Sequence, residues 1–322
     1  MNFNKILTFW YSNNKRDLPW RETQNPYHIW LSEIILQQTQ VKQGLPYYEA
    51  FVKQYPTVFD LANATEEAVL KLWQGLGYYS RARNLHRLAK IVVYELENNF
   101  PKDVEQIEAL PGIGKYTAGA IASFAFDSPA PAVDANIARV LARLFDFQER
   151  IDTSVGQKQI WEWAADLVPS SGGRIWNSAL MELGQTLCGP RKTFCNECPI
   201  AESCRCVEPL GLPIKKLKHG VTNIDEHVIL NIRKGKVLLE QETGNRRKGM
   251  WKLPTRDKKE VTKLDLITTQ NYGITRYKVK MHIYKSKNAQ LNENEKWVSL
   301  DELASLPVPS PYRRALELIT NL

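Results

Sequence analysis

The sequence predicts a mainly α N-terminal domain closed by a metal-binding cysteine loop, with a smaller α+β domain after it. Apolar residues recur at helical spacing from the start of the chain to about Asn177, and no strand alternation competes with them. All five cysteines then fall between Cys188 and Cys206. Beyond them a connector rich in Pro, Gly and Lys gives way to alternating segments. The boundaries this predicts are 1–207 for the helical domain with its cysteine loop, 208–221 for a linker and 222–322 for the α+β domain.

Within the first domain the helical segments run Tyr27 to Val41, Thr65 to Trp73, Ser80 to Leu96, Val104 to Leu110, Lys115 to Phe126, Asn136 to Phe145 and Gln157 to Leu167. The breaks carry turn chemistry at Asn25-Pro26, Gly75-Leu76-Gly77, Pro111-Gly112-Ile113-Gly114 and Ser170 to Gly173. Glu208 to Val221 reads as an exposed connector. In the second domain, His227 to Ile232 and Lys236 to Glu240 predict a hairpin around Lys234-Gly235. Tyr277 to Tyr284 alternates, Trp297 to Leu300 is a short strand, and Arg313 to Ile319 is a closing helix.

A chain of 322 residues is long enough for two cores. Its 43 Lys and Arg against 35 Asp and Glu, net +8, suit a polyanionic partner, although modest basicity also serves solubility alone. No stretch approaches the roughly 20 apolar residues of a membrane span, and the N-terminus has no signal-peptide core. A cytoplasmic monomer without membrane contact is expected, in a reducing compartment where thiols stay available to metal.

Four of the cysteines read Cys188-x6-Cys195-x2-Cys198-x5-Cys204. Thiolates this close make a ligand set for zinc or for an iron-sulfur cluster, since both accept four sulfurs. Zinc sites usually pair two Cys-x2-Cys knuckles, and here only Cys195 and Cys198 form one, so the spacing favours a cubane cluster wrapped by one loop. Cys206 is left as a spare thiol.

Glu33 lies in a helical segment where Ile29, Trp30, Ile34, Ile35 and Leu36 surround it on nearly every side. Desolvation should raise its pKa and make it a candidate general acid, unless an arginine pairs with it. Asp134 directly precedes the helical run from Ile137 and so occupies an N-cap position. Backbone N–H bonds at a cap should hold it ionised, and two carboxyl groups in opposite states are what glycosidic cleavage requires. Leu110-Pro111-Gly112-Ile113-Gly114-Lys115 joins two helical segments. Glycines there, followed by a helix N-terminus, suit a phosphate grip that reads no sequence, with a plain αα-turn as the alternative.

Together the glycine hairpin, the aspartate before the next helix and the cysteine spacing resemble the helix-hairpin-helix DNA glycosylases of the endonuclease III superfamily. Leu18-Pro19-Trp20-Arg21, Trp30-Leu31-Ser32-Glu33 with Leu36-Gln37-Gln38-Thr39-Gln40, and Gly75-Leu76-Gly77-Tyr78-Tyr79 are similar to the A/G-specific adenine glycosylases, the MutY family. The resemblance implies a mainly α helix-hairpin-helix glycosylase domain with an iron-sulfur loop, holding a 4Fe-4S cluster on Cys188, Cys195, Cys198 and Cys204. It implies double-stranded DNA with an A·8-oxoguanine or A·G mismatch as partner. Glu33 would protonate the flipped adenine and Asp134 would stabilise the sugar cation or its adduct. Arg21 and Asn136 would support the pocket and the aspartate. Gln37, Gln38, Thr39 and Tyr78 would enter or touch the gap in the duplex, and Gly112, Gly114 and Lys115 would hold its backbone. Tyr116 stands where the lyase branch has its Schiff-base lysine. Lys115 points roughly 100° away around the helix, so a monofunctional enzyme is expected.

Three departures bear on substrate. Ala135 replaces the usual Gly after the aspartate, a form also found in thymine glycosylases acting on T·G mismatches. Ser178 stands where adenine glycosylases often have Glu or Gln. Val237-Leu238-Leu239 and Gly249-Met250-Trp251-Lys252-Leu253-Pro254 resemble a Nudix-like lesion-recognition domain, yet no Glu-rich helix follows, and Arg276-Tyr277-Lys278 replace its Phe-Ser-His reader. A thymine glycosylase or an inactive iron-sulfur DNA-binding protein are the alternatives. Retention of both Glu33 and Asp134 favours an enzyme.

Overall fold

A computed structural model describes residues 3–216, 220–244, 247–274, 276–287 and 291–320. Before the cysteine loop come α1 (Phe3–Asn14), α2 (Pro26–Leu36), α3 (Val41–Gln54), α4 (Val58–Asn63), α5 (Glu66–Leu72), α6 (Ser80–Tyr94), α7 (Val104–Glu108), α8 (Lys115–Phe126), α9 (Ala135–Leu144), α10 (Ser154–Leu167) and α11 (Gly173–Thr186). After it come β1 (Thr222–Leu230), β2 (Ile232–Arg233), β3 (Lys236–Gln241), β4 (Trp251–Lys252), α12 (Lys258–Val261), β5 (Asp265–Ile274), β6 (Tyr277–Lys285), β7 (Glu295–Ser299), α13 (Leu300–Leu303) and α14 (Ser310–Thr320). The chain divides into two compact units, Met1–Lys42, Thr57–Phe59 and Leu88–Leu217 in one, Gln43–Pro56, Asp60–Arg87 and Lys218–Leu322 in the other. Among the described residues, no helix is long and apolar enough to cross a membrane.

In the first unit, local signals set the helix starts. The Asn25 side chain accepts from Tyr27 N and Pro26 takes the first helical position of α2, where a missing N–H costs nothing. Asp103, Asp134 and Thr153 cap α7, α9 and α10 in the same manner. The core gathers Leu7 of α1, Ile137 and Leu141 of α9, and Trp176, Leu180 and Leu183 of α11. Two glycines let backbones meet. A Cβ on Gly184 of α11 would lie 2.8 Å from Asn136 Cβ, and one on Gly119 of α8 would lie 2.1 Å from the Pro131 carbonyl oxygen. Close packing of this kind places α8 against the segment that leads into α9, and α11 against the first turn of α9.

In the second unit, Phe51 of α3 packs on Trp73, the residue that closes α5, and their rings meet edge to face at 5.7 Å. The strands form two sheets. One has the order β1-β6-β5, with β1 parallel and β5 antiparallel to β6; in the other, β3 pairs with β2, β4 and β7. Val228, Leu239, Met281, Ile283 and Tyr312 share its core.

Several sequence expectations change. Helix α2 stops at Leu36 instead of running to Val41, because Gln37 leaves the helical region and Gln38 takes φ 56°. Helix α11 continues past Asn177 to Thr186. Lys234 and Gly235 do turn the chain, both with positive φ (49° and 71°), as a type I′ hairpin needs. The turn joins β3 only to the two-residue β2, while β1 pairs in parallel with β6 in the other sheet. Strand β5 has no counterpart in the expected list, since its polar and apolar residues alternate poorly and both its faces stay half-covered.

Candidate active site

Glu33 sits on α2 among apolar neighbours and is 7% exposed. Tyr116, in the first turn of α8, donates its hydroxyl to Glu33 Oε2 at 2.5 Å. Burial pushes the Glu33 carboxyl up to about 7; the Tyr116 bond opposes the rise and the charge of Asp134 adds to it. Burial also drives the Tyr116 phenol well above its ordinary value, with both carboxylates adding to the effect.

Asp134 caps α9. Its Oδ1 accepts from Asn136 N at 2.9 Å and Ile137 N at 2.7 Å, and its Oδ2 accepts from Asn136 Nδ2 at 2.6 Å. The cap alone was expected to hold this carboxyl low. Burial instead raises it, and the Ile137 and Asn136 bonds with the Arg139 charge only oppose that rise. The asymmetry between the two acids survives in their partners. Three N–H donors and a guanidinium favour the Asp134 anion, while Glu33 has one hydroxyl and a neighbouring negative charge. Asn136 is held in turn by Arg139, whose Nη2 donates to Asn136 Oδ1 at 2.9 Å and whose Nε donates to the Cys188 carbonyl at 2.8 Å.

Both acids line a cavity of about 790 Å³. Arg21, Gln37, Gln38, Thr39, Tyr116 and Asn136 also line it, as do Ala135 and Ser178. Gln37 Nε2 donates to Thr117 Oγ1 at 3.4 Å, Thr39 Oγ1 donates to the Gln37 carbonyl at 3.3 Å, and Gln38 is exposed. Arg21 donates to Glu182 Oε2 at 2.6 Å. The hairpin residues lie at the start of α8: Gly112 has φ 82° and needs glycine, whereas Gly114, the residue before the helix, has φ −110° and open space around its Cα. Lys115 Nζ lies 4.2 Å from the Trp161 ring centroid.

Other singled-out residues fall elsewhere. Tyr78 belongs to the second unit, is 47% exposed and has φ 47°, with the Arg81 guanidinium 5.6 Å from its ring. Arg276 lies at the entry to β6, where its guanidinium covers the Tyr277 ring at 5.1 Å and donates to the Tyr277 hydroxyl at 3.1 Å; Lys278 is exposed. Residues that sequence reasoning missed are Glu182, Arg16, Arg139 and Arg143. A signal existed for three of them: an acid inside Leu180-Met181-Glu182-Leu183, and two arginines four apart on the buried face of α9.

The four cysteines lie around two 3₁₀ turns, Cys195–Glu197 and Ala201–Ser203, and Cys198 feels the charges of Cys188, Cys204 and Cys195. Among the described residues, no three His, Cys, Asp or Glu side chains form a group that could hold a single metal ion. The surroundings nonetheless fit an anionic group larger than one ion. Arg143 is 2% exposed and donates to Cys188 Sγ at 3.2 Å and to the Gly189 carbonyl at 2.9 Å, while its Nη2 is buried without a hydrogen-bond partner. The backbone N–H groups of Ile200 and Cys206 bond Cys198 and Cys204. Burial, with the charges of Cys188, Cys204 and Cys195, pushes the Cys198 thiol up to about 11, a shift that bound metal would reverse.

A match to the HhH-GPD superfamily of base excision DNA repair proteins spans residues 31–166. The adenine DNA glycosylase of Mycolicibacterium smegmatis is 38% identical over 200 residues, 62% of this chain and 67% of that protein. The chain belongs to the HhH-GPD superfamily, in its adenine DNA glycosylase branch. Among other HhH-GPD relatives, the adenine DNA glycosylase of Rattus norvegicus is 40% identical over 246 residues, 74% of this chain and 48% of that protein. That of Homo sapiens is 42% identical over 212 residues, 63% of this chain and 39% of that protein. The chain thus spans about half the length, or less, of the mammalian relatives it matches. A thermostable thymine-DNA glycosylase structure superposes with TM-score 0.58 at 32% identity, covering 63% of this chain and 94% of that one. Endonuclease III trapped as a covalent intermediate with DNA shares the HhH-GPD fold, with TM-score 0.54 at 23% identity over 63% of this chain and 92% of that one.

Proposed function

We propose that the protein is a monofunctional DNA glycosylase that flips out adenine mispaired with 8-oxoguanine or guanine and hydrolyses its N-glycosidic bond. The observation that carries this reading is the pairing of Glu33 and Asp134 in one cavity, with burial pushing Glu33 up to about 7 and N–H donors gathered on Asp134. A base stacked in a duplex is out of reach of both carboxyls, so the nucleotide enters the cavity extrahelically. Glu33, protonated near neutral pH, gives its proton to the base and turns it into a neutral leaving group. The Asp134 carboxylate stands by the cationic sugar that forms as the bond breaks, and water completes hydrolysis. Tyr116 hydrogen-bonds Glu33 and provides no amine, so no Schiff base with the sugar forms and the strand stays uncut. Asn136 holds the Asp134 carboxylate, and Arg21 supports the base.

Gln37, Gln38, Thr39 and Tyr78 are assigned to the gap left by the flipped base, and the α8 N-terminus with Gly112, Gly114 and Lys115 to the DNA backbone. Cys188, Cys195, Cys198 and Cys204 are assigned as ligands of a 4Fe-4S cluster. That cluster would anchor a basic loop against DNA and would accept the buried Arg143 charge. We assign 1–207 as the glycosylase domain, 208–221 as the linker and 222–322 as a Nudix-like domain that inspects the opposite base, with Arg276, Tyr277 and Lys278 as its candidate reader.

Thymine opposite guanine is the second reading, favoured by Ala135 at the cavity wall and by the likeness to a thymine-DNA glycosylase. Single-turnover base release on duplexes carrying adenine opposite 8-oxoguanine, adenine opposite guanine and thymine opposite guanine decides between them. Adenine opposite 8-oxoguanine should react fastest without strand nicking. Faster thymine release, or nicking coupled to base release, would overturn the assignment.

A further inference from the structure

Helix α11 presents Arg174, Ser178 and Glu182 at intervals of four residues, one face of a helix. Arg174 Nη2 donates to the carbonyls of Arg21 and Thr23 at 2.6 and 2.7 Å, which pins the backbone segment that carries Arg21. Ser178 lines the cavity itself. Glu182, with a side chain 0% exposed, accepts from Arg16 Nε at 2.6 Å, Arg16 Nη2 at 2.9 Å and Arg21 Nη2 at 2.6 Å.

One buried carboxylate would be neutralised by one guanidinium. Here it takes two, and the surplus positive charge belongs to groups that line the cavity, Arg16 and Arg21. Burial pushes the Glu182 carboxyl up, but the bonds from Arg16 and Arg21 outweigh burial and hold it below its ordinary value. Other contacts of the Arg21 guanidinium are the Arg16 carbonyl, 3.0 Å from Nη1, and the face of Tyr11, 5.4 Å away. A ring face leaves the guanidinium free to slide, whereas a charge-assisted bond to an immobile acid fixes the plane of its fork.

We propose that Glu182 is a positioning residue that holds the Arg21 guanidinium against the flipped base, leaving its remaining N–H donors for an acceptor on that base. The inference rests on the reading of this cavity as the base site. Ser178 is the small residue between the two anchors of that wall, so the wall yields space at 178 and is rigid at 174 and 182.

The test compares wild type, Glu182→Asp, Arg21→Lys and the double variant on a duplex with adenine opposite 8-oxoguanine. Single-turnover release, duplex affinity, inhibition by free adenine and melting temperature are read for each. Glu182→Asp keeps the charge and shortens its reach; it should slow release and weaken inhibition by free adenine by about tenfold each, because misplacement of a binding group is costly. Duplex affinity should stay within about threefold, and the double variant should be no slower than the slower single one to the same tolerance, because the two residues act as a unit. Arg21→Lys gives the same readout independently if Glu182→Asp folds poorly. The positioning role is overturned if Glu182→Asp retains wild-type adenine inhibition, if release and duplex affinity fall together, or if the two variants multiply. Wild type that releases no adenine would instead overturn the proposed function.

Discussion

Two sides of the same cavity bury a glutamate, and they treat it in opposite ways. On the α2 side Glu33 has one hydroxyl donor and an anion nearby, and burial pushes it up to about 7. On the α11 side the Glu182 side chain is also shut off from solvent, yet two arginines hold it below its ordinary value. Burial alone therefore does not make an acid reactive. What differs is the supply of cations, and a carboxyl denied one keeps its proton while a carboxyl given two becomes an anchor.

The largest effect that tests this contrast is on chemistry. Glu33→Gln should slow base release by roughly a thousandfold while leaving duplex binding intact, as loss of a general acid does. Substantial release from that variant would remove Glu33 from its role.

Stability should respond with opposite signs at the two positions. For Glu33 the folded chain keeps a proton that the unfolded chain has lost between its ordinary value of 4.5 and about 7. Stability therefore falls as pH climbs through that window, by about 3 kcal/mol in full above it. Glu33→Gln removes the cost, so it should raise the melting temperature at pH 8 and leave it unchanged at pH 4. Glu182 is the reverse case: its carboxylate stabilises at neutral pH and loses that effect as pH falls, and Glu182→Gln should destabilise by about 3–5 kcal/mol at pH 7. Denaturant titrations showing the same sign for both would break the comparison.

Smallest is a shift in pH dependence. Release should decline above about 7 as Glu33 loses its proton. The Tyr116 hydroxyl pulls that value down, so Tyr116→Phe should move the decline to higher pH. An unmoved or lowered limb would mean that the 2.5 Å bond is not made to the ionised acid.

Sequence carried the site where a local pattern forces an environment. Glu33 among Trp30, Ile34 and Ile35 had to be desolvated, and Asp134 before Ile137 had to cap a helix. It misled where two local effects compete, as with Asp134, because the cap is visible in six residues and the burial that overrides it comes from elements far along the chain. For Glu182 the apolar neighbours signal burial, but its partners Arg16 and Arg21 lie more than 160 residues away and nothing local announces them. The fold divides similarly. Helices bounded by caps were readable, whereas α2 was overrun because nothing in Gln37-Gln38 announces a left-handed residue. The hairpin turn at Lys234-Gly235 was readable, but the parallel pairing of β1 with β6 depends on residues about 50 positions apart.

Gly119 has a consequence for precision. Its missing side chain lets α8, which carries Tyr116, lie directly on the Pro131 carbonyl of the segment that delivers Asp134. The spacing of the α8 backbone and the backbone before Asp134 is thus set by main chain against main chain. Warming excites side-chain hops long before it parts packed backbones. The backbone spacing between α8 and the segment that delivers Asp134 should therefore stay constant with temperature until the unit itself melts.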